Sequence, residues 1–96
     1  GDRIGAFTAY HTPGHNPGHT TYVHEDGVAF VGDLLWEDDG ELTPPFWLDC
    51  YDTRQLRESI VAFAEAVPEV DLIGMGHGRP ITSDAHVPLS ELAGRL

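Results

Sequence analysis

Residues 10–35 read YHTPGHNPGHTTYVHEDGVAFVGDLL, and this stretch carries four of the six histidines. His11, His15 and His19 are four apart, a spacing that would put them on one face of a helix. Pro13, Gly14, Pro17 and Gly18 stand between them. Proline lacks an N–H and clashes with the preceding turn, and glycine weakens a helix further. Residues 12–19 are therefore predicted to form a tight, rigid loop that fixes where the imidazoles point. An apolar run follows and ends on Gly32-Asp33. A rigid loop bearing imidazoles, followed by an apolar run that ends in a carboxylate, has the character of a metal site.

The flanking segments give this loop its frame. Arg3–His11 alternates loosely through Ile4, Phe7 and Tyr10 and reads as a strand. Thr20–His24 is β-branched and aromatic, a second strand. Glu25-Asp26-Gly27 is a turn, with Gly27 suited to positive φ. Val28–Val31 is continuously apolar, which predicts a strand buried on both faces; with the preceding strand it makes a hairpin. Residues 36–50 read as irregular. Asp52 is a good helix N-cap, and Gln55 falls three residues later in the capping-box position. Leu56, Ile60, Phe63, Ala64 and Val67 then line one face of a helix over 52–67, which Pro68 ends. Asp71–Met75 is a short strand, Gly76–Pro80 a tight loop, and residues 88–96 a last helix with Pro88 in its first turn.

These elements predict where the candidate ligands lie. The first strand stops just before the His15 loop. The hairpin runs away from that edge and returns to it at Asp33. The helix crosses back, so the strand over 71–75 runs parallel to the one ending at Asp33 and itself ends at His77. In α/β sheets, ligands favour the edge where strands end. Each residue also has a plainer role: a loop histidine that hydrogen-bonds, an aspartate that caps a turn, a Gly-His-Gly that only turns the chain. The convergence of His15, Asp33 and His77 on one edge outweighs those separate readings. Imidazole and carboxylate suit zinc, iron or manganese.

Composition narrows the setting. The chain has 96 residues, enough for one small domain. No apolar run approaches the ~20 residues that cross a bilayer, so a soluble protein without a membrane partner is expected. Cys50 is the single cysteine, which suggests a reducing, cytoplasmic setting. Sixteen acids stand against five arginines and no lysine, for a formal charge of −11. Such a surface opposes nucleic acid and is consistent with adaptation to high salt, where screening relieves self-repulsion.

At these residues the sequence resembles the C-terminal half of the metallo-β-lactamase superfamily. His11–His19, HTPGHNPGH, is similar to the family's third metal motif. Gly32-Asp33 is similar to the fourth, and Gly76-His77-Gly78 to the last. The resemblance implies an α/β (α+β) fold: half of an αββα sandwich, with a mixed sheet, a strand hairpin and two covering helices over residues 1–96. It implies that His15 ligates a first metal, Asp33 bridges, and His77 ligates a second. His19 is expected to orient the loop by hydrogen bonding rather than to ligate. His11, His24 and His86 are left as structural or surface residues, and no catalytic residue is assigned.

The family's principal motif, His-x-His-x-Asp-His, has no counterpart, since no two histidines are two apart. The remaining ligands are expected from a missing N-terminal half or from a second copy of the chain. The implied function is a share in a two-zinc hydrolase of small esters, thioesters or lactones, similar to glyoxalase II-like members; the chain alone is expected to be inactive. The alternative is a non-catalytic half-fold that self-associates or binds a partner. Trp36, Phe46 and Trp47 either line a pocket or close the core, with the core favoured. Arg79 either holds a substrate carboxylate or, the favoured role on so acidic a chain, pairs with a nearby acid.

Overall fold

The computed structural model describes residues 2–46 and 50–96. The chain starts with two antiparallel strands, β1 (Asp2–Ile4) and β2 (Phe7–His11). Sequence reading merges them into one strand over 3–11. Gly5, at φ 61°, turns the chain between them, a conformation that glycine reaches at little cost. β3 (Thr20–His24) and β4 (Val28–Gly32) form the expected hairpin around Gly27, at φ 86°.

Residues 36–43 are not irregular. β5 (Trp36–Asp38) and β6 (Glu41–Thr43) pair as a separate two-stranded sheet. Asp39 and Gly40 turn between them at φ 53° and 83°, a pair suited to a two-residue hairpin turn. Acidic residues are depleted in strands, which is why the pattern hides this hairpin. Trp47 lies outside the described residues.

Helix α1 (Thr53–Ala66) is capped by Asp52, whose carboxylate accepts the Gln55 N–H at 3.0 Å. β7 (Leu72–Met75) and α2 (His86–Arg95) follow. The main sheet has the order β1-β2-β3-β4-β7. All neighbours are antiparallel except β4 and β7, which are parallel across the α1 crossover. The sheet is mixed, as expected. β2, β4 and β7 all end on the same edge.

The core lies on one face of this sheet. Leu56, Ile60 and Phe63 of α1 and Leu89 and Leu92 of α2 are buried with Ala29, Val31 and Ile73 of the strands. Each large side chain so buried contributes about 1.5–3 kcal/mol. Tyr10 joins them, its ring edge-on to Phe63 at 6.1 Å.

The expectation that Val28–Val31 is buried on both faces fails. Ala29 and Val31 are fully buried, whereas Phe30 between them is 49% exposed. The strand pairs Ile4–Phe7, Phe7–His24, Tyr22–Phe30 and Phe30–Gly74 put these residues on one continuous face. On that face Ile4 and Tyr22 are exposed as well.

Candidate metal centre

The His15 loop is braced against the start of α1. The backbone N–H groups of Asp52 and Tyr51 donate to the carbonyls of Gly14 (2.8 Å) and His15 (3.0 Å). Ser59 Oγ, on the helix, donates to the Pro13 carbonyl at 2.7 Å. Gly14 sits at φ 142°, and a Cβ there would come within 2.3 Å of Leu56 Cα. Only a residue without a side chain permits this approach. The loop's other end is closed by the Thr12 N–H on the His19 carbonyl at 2.9 Å.

His19 is held at both ring nitrogens. Its Nε2 accepts the Asp33 backbone N–H at 3.2 Å. Nδ1 therefore carries the proton and donates to Thr12 Oγ1 at 2.8 Å. Thr12 in turn meets Thr21 Oγ1 at 2.9 Å, with both threonines buried. Burial pushes the His19 pKa down; the nearby Asp33 carboxylate opposes this and His15 adds to it. With both nitrogens engaged by protein, His19 ties the His15 loop to the Asp33 turn.

His15 differs. Its Nδ1 is buried without a hydrogen-bond partner among the described residues, so no such bond commits the ring to a structural role. Asp33 follows a register shift in β4 and the positive φ of Gly32. The Gly76 N–H donates to the Gly32 carbonyl at 3.0 Å. A Cβ on Gly76 would lie 3.3 Å from Asp33 Oδ1. The Asp33 turn and the His77 loop are thereby in contact.

The His77 loop rests on the β5–β6 hairpin. The His77 and Trp36 rings stack at 4.2 Å and 25°. The Glu37 N–H donates to the His77 carbonyl at 3.2 Å. Glu37 Oε1 accepts the Arg79 N–H and Oε2 accepts the Gly40 N–H, both at 2.7 Å. These bonds, the one from Arg79 foremost, hold the Glu37 carboxyl below its usual range, and the Arg79 charge adds to them against the cost of burial. Of the aromatics weighed for core or pocket, Trp36 thus packs at the candidate site, while Phe46 is 51% exposed.

The other histidines make local contacts. His11 Nε2 donates to the Pro17 carbonyl at 2.9 Å. His24 lies edge-on to Phe7 at 4.9 Å and accepts the Asp26 N–H at 3.1 Å. His86 Nδ1 donates to the Val70 carbonyl at 3.2 Å.

The candidate ligands thus stand at the ends of β2, β4 and β7 on one edge. They do not close a site. Among the described residues, no three His, Cys, Asp or Glu side chains gather closely enough to hold an ion. Two imidazoles and one carboxylate fit zinc, iron or manganese by chemistry, but a closed zinc site takes four ligands. Sequence reading did not single out Thr12, Thr21 or Glu37. Glu37 was masked as one acid in a run of three, and its role rests on a contact with a loop far along the chain.

The comparisons with known proteins identify a family and a fold. The sequence model of the metallo-beta-lactamase superfamily matches residues 1–77. The chain is 34% identical over 99 aligned positions to the Bacillus subtilis protein described as "Probable metallo-hydrolase YflN"; the match covers 88% of this chain and 36% of that protein. Among solved structures, the di-iron-bound form of TTHA1623 superposes with a TM-score of 0.74 at 28% identity, over 100% of this chain and 46% of the other. A metallo-beta-lactamase from Erythrobacter litoralis gives 0.71 at 27%, over 97% and 42%. An archaeal superfamily protein from Sulfolobus tokodaii gives 0.67 at 22%, over 93% and 32%, a likeness of fold alone. The chain therefore spans about a third of the length of the curated relative it matches.

Proposed function

The chain belongs to the metallo-beta-lactamase superfamily, and on that footing we propose that it contributes half of a dinuclear metal site to a hydrolase of small esters, thioesters or lactones. The observation that carries the reading is the shared edge: His15, Asp33 and His77 follow strands β2, β4 and β7, and His19 joins the first two turns. His15 and Asp33 would hold one ion, Asp33 and His77 the other. Zinc suits these donors; iron is supported by the di-iron relative, and manganese by the same donor chemistry. A bound metal pair supplies an acidified water and polarises the scissile carbonyl. The protein's own part is to set the donors. Thr12 and His19 lock the loop that carries His15, and the contact of Gly76 with Asp33 sets the His77 loop beside the Asp33 carboxylate.

Three donors leave both positions short of ligands. The remainder would come from a segment equivalent to the rest of the longer relatives, in the same polypeptide or another. The test is hydrolysis of a chromogenic thioester with zinc or manganese, by the 96 residues alone and with such a segment supplied in trans. Activity restored only in the pair, and lost with His15→Ala or His77→Ala, is the expected result. Efficient turnover by the 96 residues alone would overturn the half-site reading.

A second reading is supported by the exposed sheet face carrying Ile4, Tyr22 and Phe30. On it the chain is a non-catalytic module that pairs with a second copy or a partner protein and retains its metal ligands without turnover. Failure of every reconstituted pair to hydrolyse thioester, with association intact, would favour it.

A further inference from the structure

His77 sits between Gly76 and Gly78 and is exposed. A ligand in such a loop would lose much conformational freedom on binding an ion unless something already held it. We infer that Trp36 and Glu37 of the β5–β6 hairpin are positioning residues that hold the His77 ring in its ligating orientation, an inference that rests on the reading of His77 as a metal ligand.

The hairpin grips residues 77–79 in three ways. The indole of Trp36 lies flat against the imidazole at 4.2 Å. The backbone of Glu37 bonds the His77 carbonyl. The Glu37 carboxylate spans two backbone N–H groups, Arg79 in the His77 loop and Gly40 in the hairpin's own turn. Gly78 closes the fit: at φ 103°, its Cβ would come within 2.5 Å of the Glu37 carbonyl oxygen and 2.9 Å of Oε1. Gly78, which helps make this loop pliable, is thus also the residue that lets the hairpin come close enough to stiffen it.

The contacts divide the work. The carboxylate fixes the loop's backbone, whereas the stack fixes the plane of the ring. The Trp36 Nε1 has no hydrogen-bond partner among the described residues although it is buried. No indole hydrogen bond therefore sets the ring's placement, and stacking on His77 is its specific contact here. Groups that orient a ligand in this way typically change metal affinity about 10–100-fold when removed.

The test uses zinc alone as the probe, titrated calorimetrically into the 96-residue chain, together with NMR of the histidine rings in the presence of chelator. Trp36→Leu is expected to weaken zinc binding about tenfold, Trp36→Phe to restore most of it by keeping the stack, and Glu37→Ala to weaken it comparably. In the parent chain the His77 ring protons should be displaced upfield by the indole ring current, and the displacement should vanish in Trp36→Leu. A structural role alone would lower thermal stability in both Trp36 variants without this split in affinity. If His77→Ala weakens zinc binding but Trp36→Leu and Glu37→Ala do not, the positioning role is overturned while the ligand assignment stands. If His77→Ala itself changes nothing, the ligand assignment fails and the inference falls with it. Should Trp36→Leu fail to fold, the parent spectrum decides: His77 ring protons at their random-coil positions overturn the stack.

Discussion

On the proposed reading, Asp33 is the residue on which both metal positions would depend. It follows the strand end at Gly32, and its Oδ1 faces the His77 loop across Gly76. Asp33→Ala would then strip one donor from each ion, so zinc affinity, expected to be weak for so few ligands, should fall below detection by titration calorimetry. Tight stoichiometric binding that survives Asp33→Ala would rule the assignment out. His19 makes a separate prediction through pH. Its folded-state pKa lies below the ordinary 6.5 because the ring is buried, and protonation would turn Nε2 into a donor facing the Asp33 N–H donor. Above about 6.5 both folded and unfolded states are neutral and stability is intact. As pH falls through that value the unfolded chain takes up the proton first, and stability is lost until the folded-state pKa is passed. His19→Gln keeps an acceptor for the Asp33 N–H and does not titrate. With chelator present, the urea midpoint of the parent should drop more between pH 7.5 and 5.5 than that of His19→Gln. Equal drops would show that His19 does not carry the effect.

Among the elements, α1 matters for more than its buried face. Tyr51 and the N-cap Asp52, just before its first turn, donate to the His15 and Gly14 carbonyls, and Ser59 reaches the Pro13 carbonyl from within the helix. The helix is thus the brace of the His15 loop. Gly14→Ala must drive a methyl into the Leu56 backbone and hold alanine at positive φ. The loop and helix should part, costing about 3 kcal/mol, read as a lowered urea midpoint together with weakened zinc binding. A midpoint unchanged from the parent would mean that loop and helix are not in contact. The β5–β6 hairpin plays the matching part for His77, and it was the element least legible in the sequence. Its strands are three residues each and half acidic, so neither alternation nor propensity marks them. What holds them, the Glu37 carboxylate bonded to Arg79 N–H, joins residues that no local pattern relates.

At the scale of the whole molecule, two features oppose each other. The sheet face with Ile4, Tyr22 and Phe30 is apolar and exposed, and such patches mark association surfaces. A formal charge of −11 resists bringing two copies together. Salt shifts the balance: the screening length falls from about 10 Å at about 0.1 M to about 3 Å at about 1 M. Sedimentation equilibrium should therefore find more self-association at the higher salt, and Phe30→Lys should suppress it. A monomer under both conditions would contradict this use of the face. Among the described residues, no helix is long and apolar enough to cross a membrane.

The order of β2, β3, β4, α1, β7 and α2 was legible because its signals are local. Pro13 and Pro17 forbid a helix through His11–His19, Asp52 and Gln55 mark where α1 starts, and the hairpin at Gly27 and the crossover to β7 bring three strand ends to one edge. That is enough to name His15, Asp33 and His77 together. Which of their neighbours support them was not legible, because support is a matter of contacts across the chain. The bonds of His19 to Thr12 and Asp33, the clearance that Gly14 leaves for Leu56 and Gly78 for Glu37, and the stack of Trp36 on His77 exist only once the elements are packed. The exposure of Phe30 has the same origin: a run of apolar residues cannot reveal how many layers cover it, since hydrophobicity records a preference for burial and packing determines whether a covering surface is present.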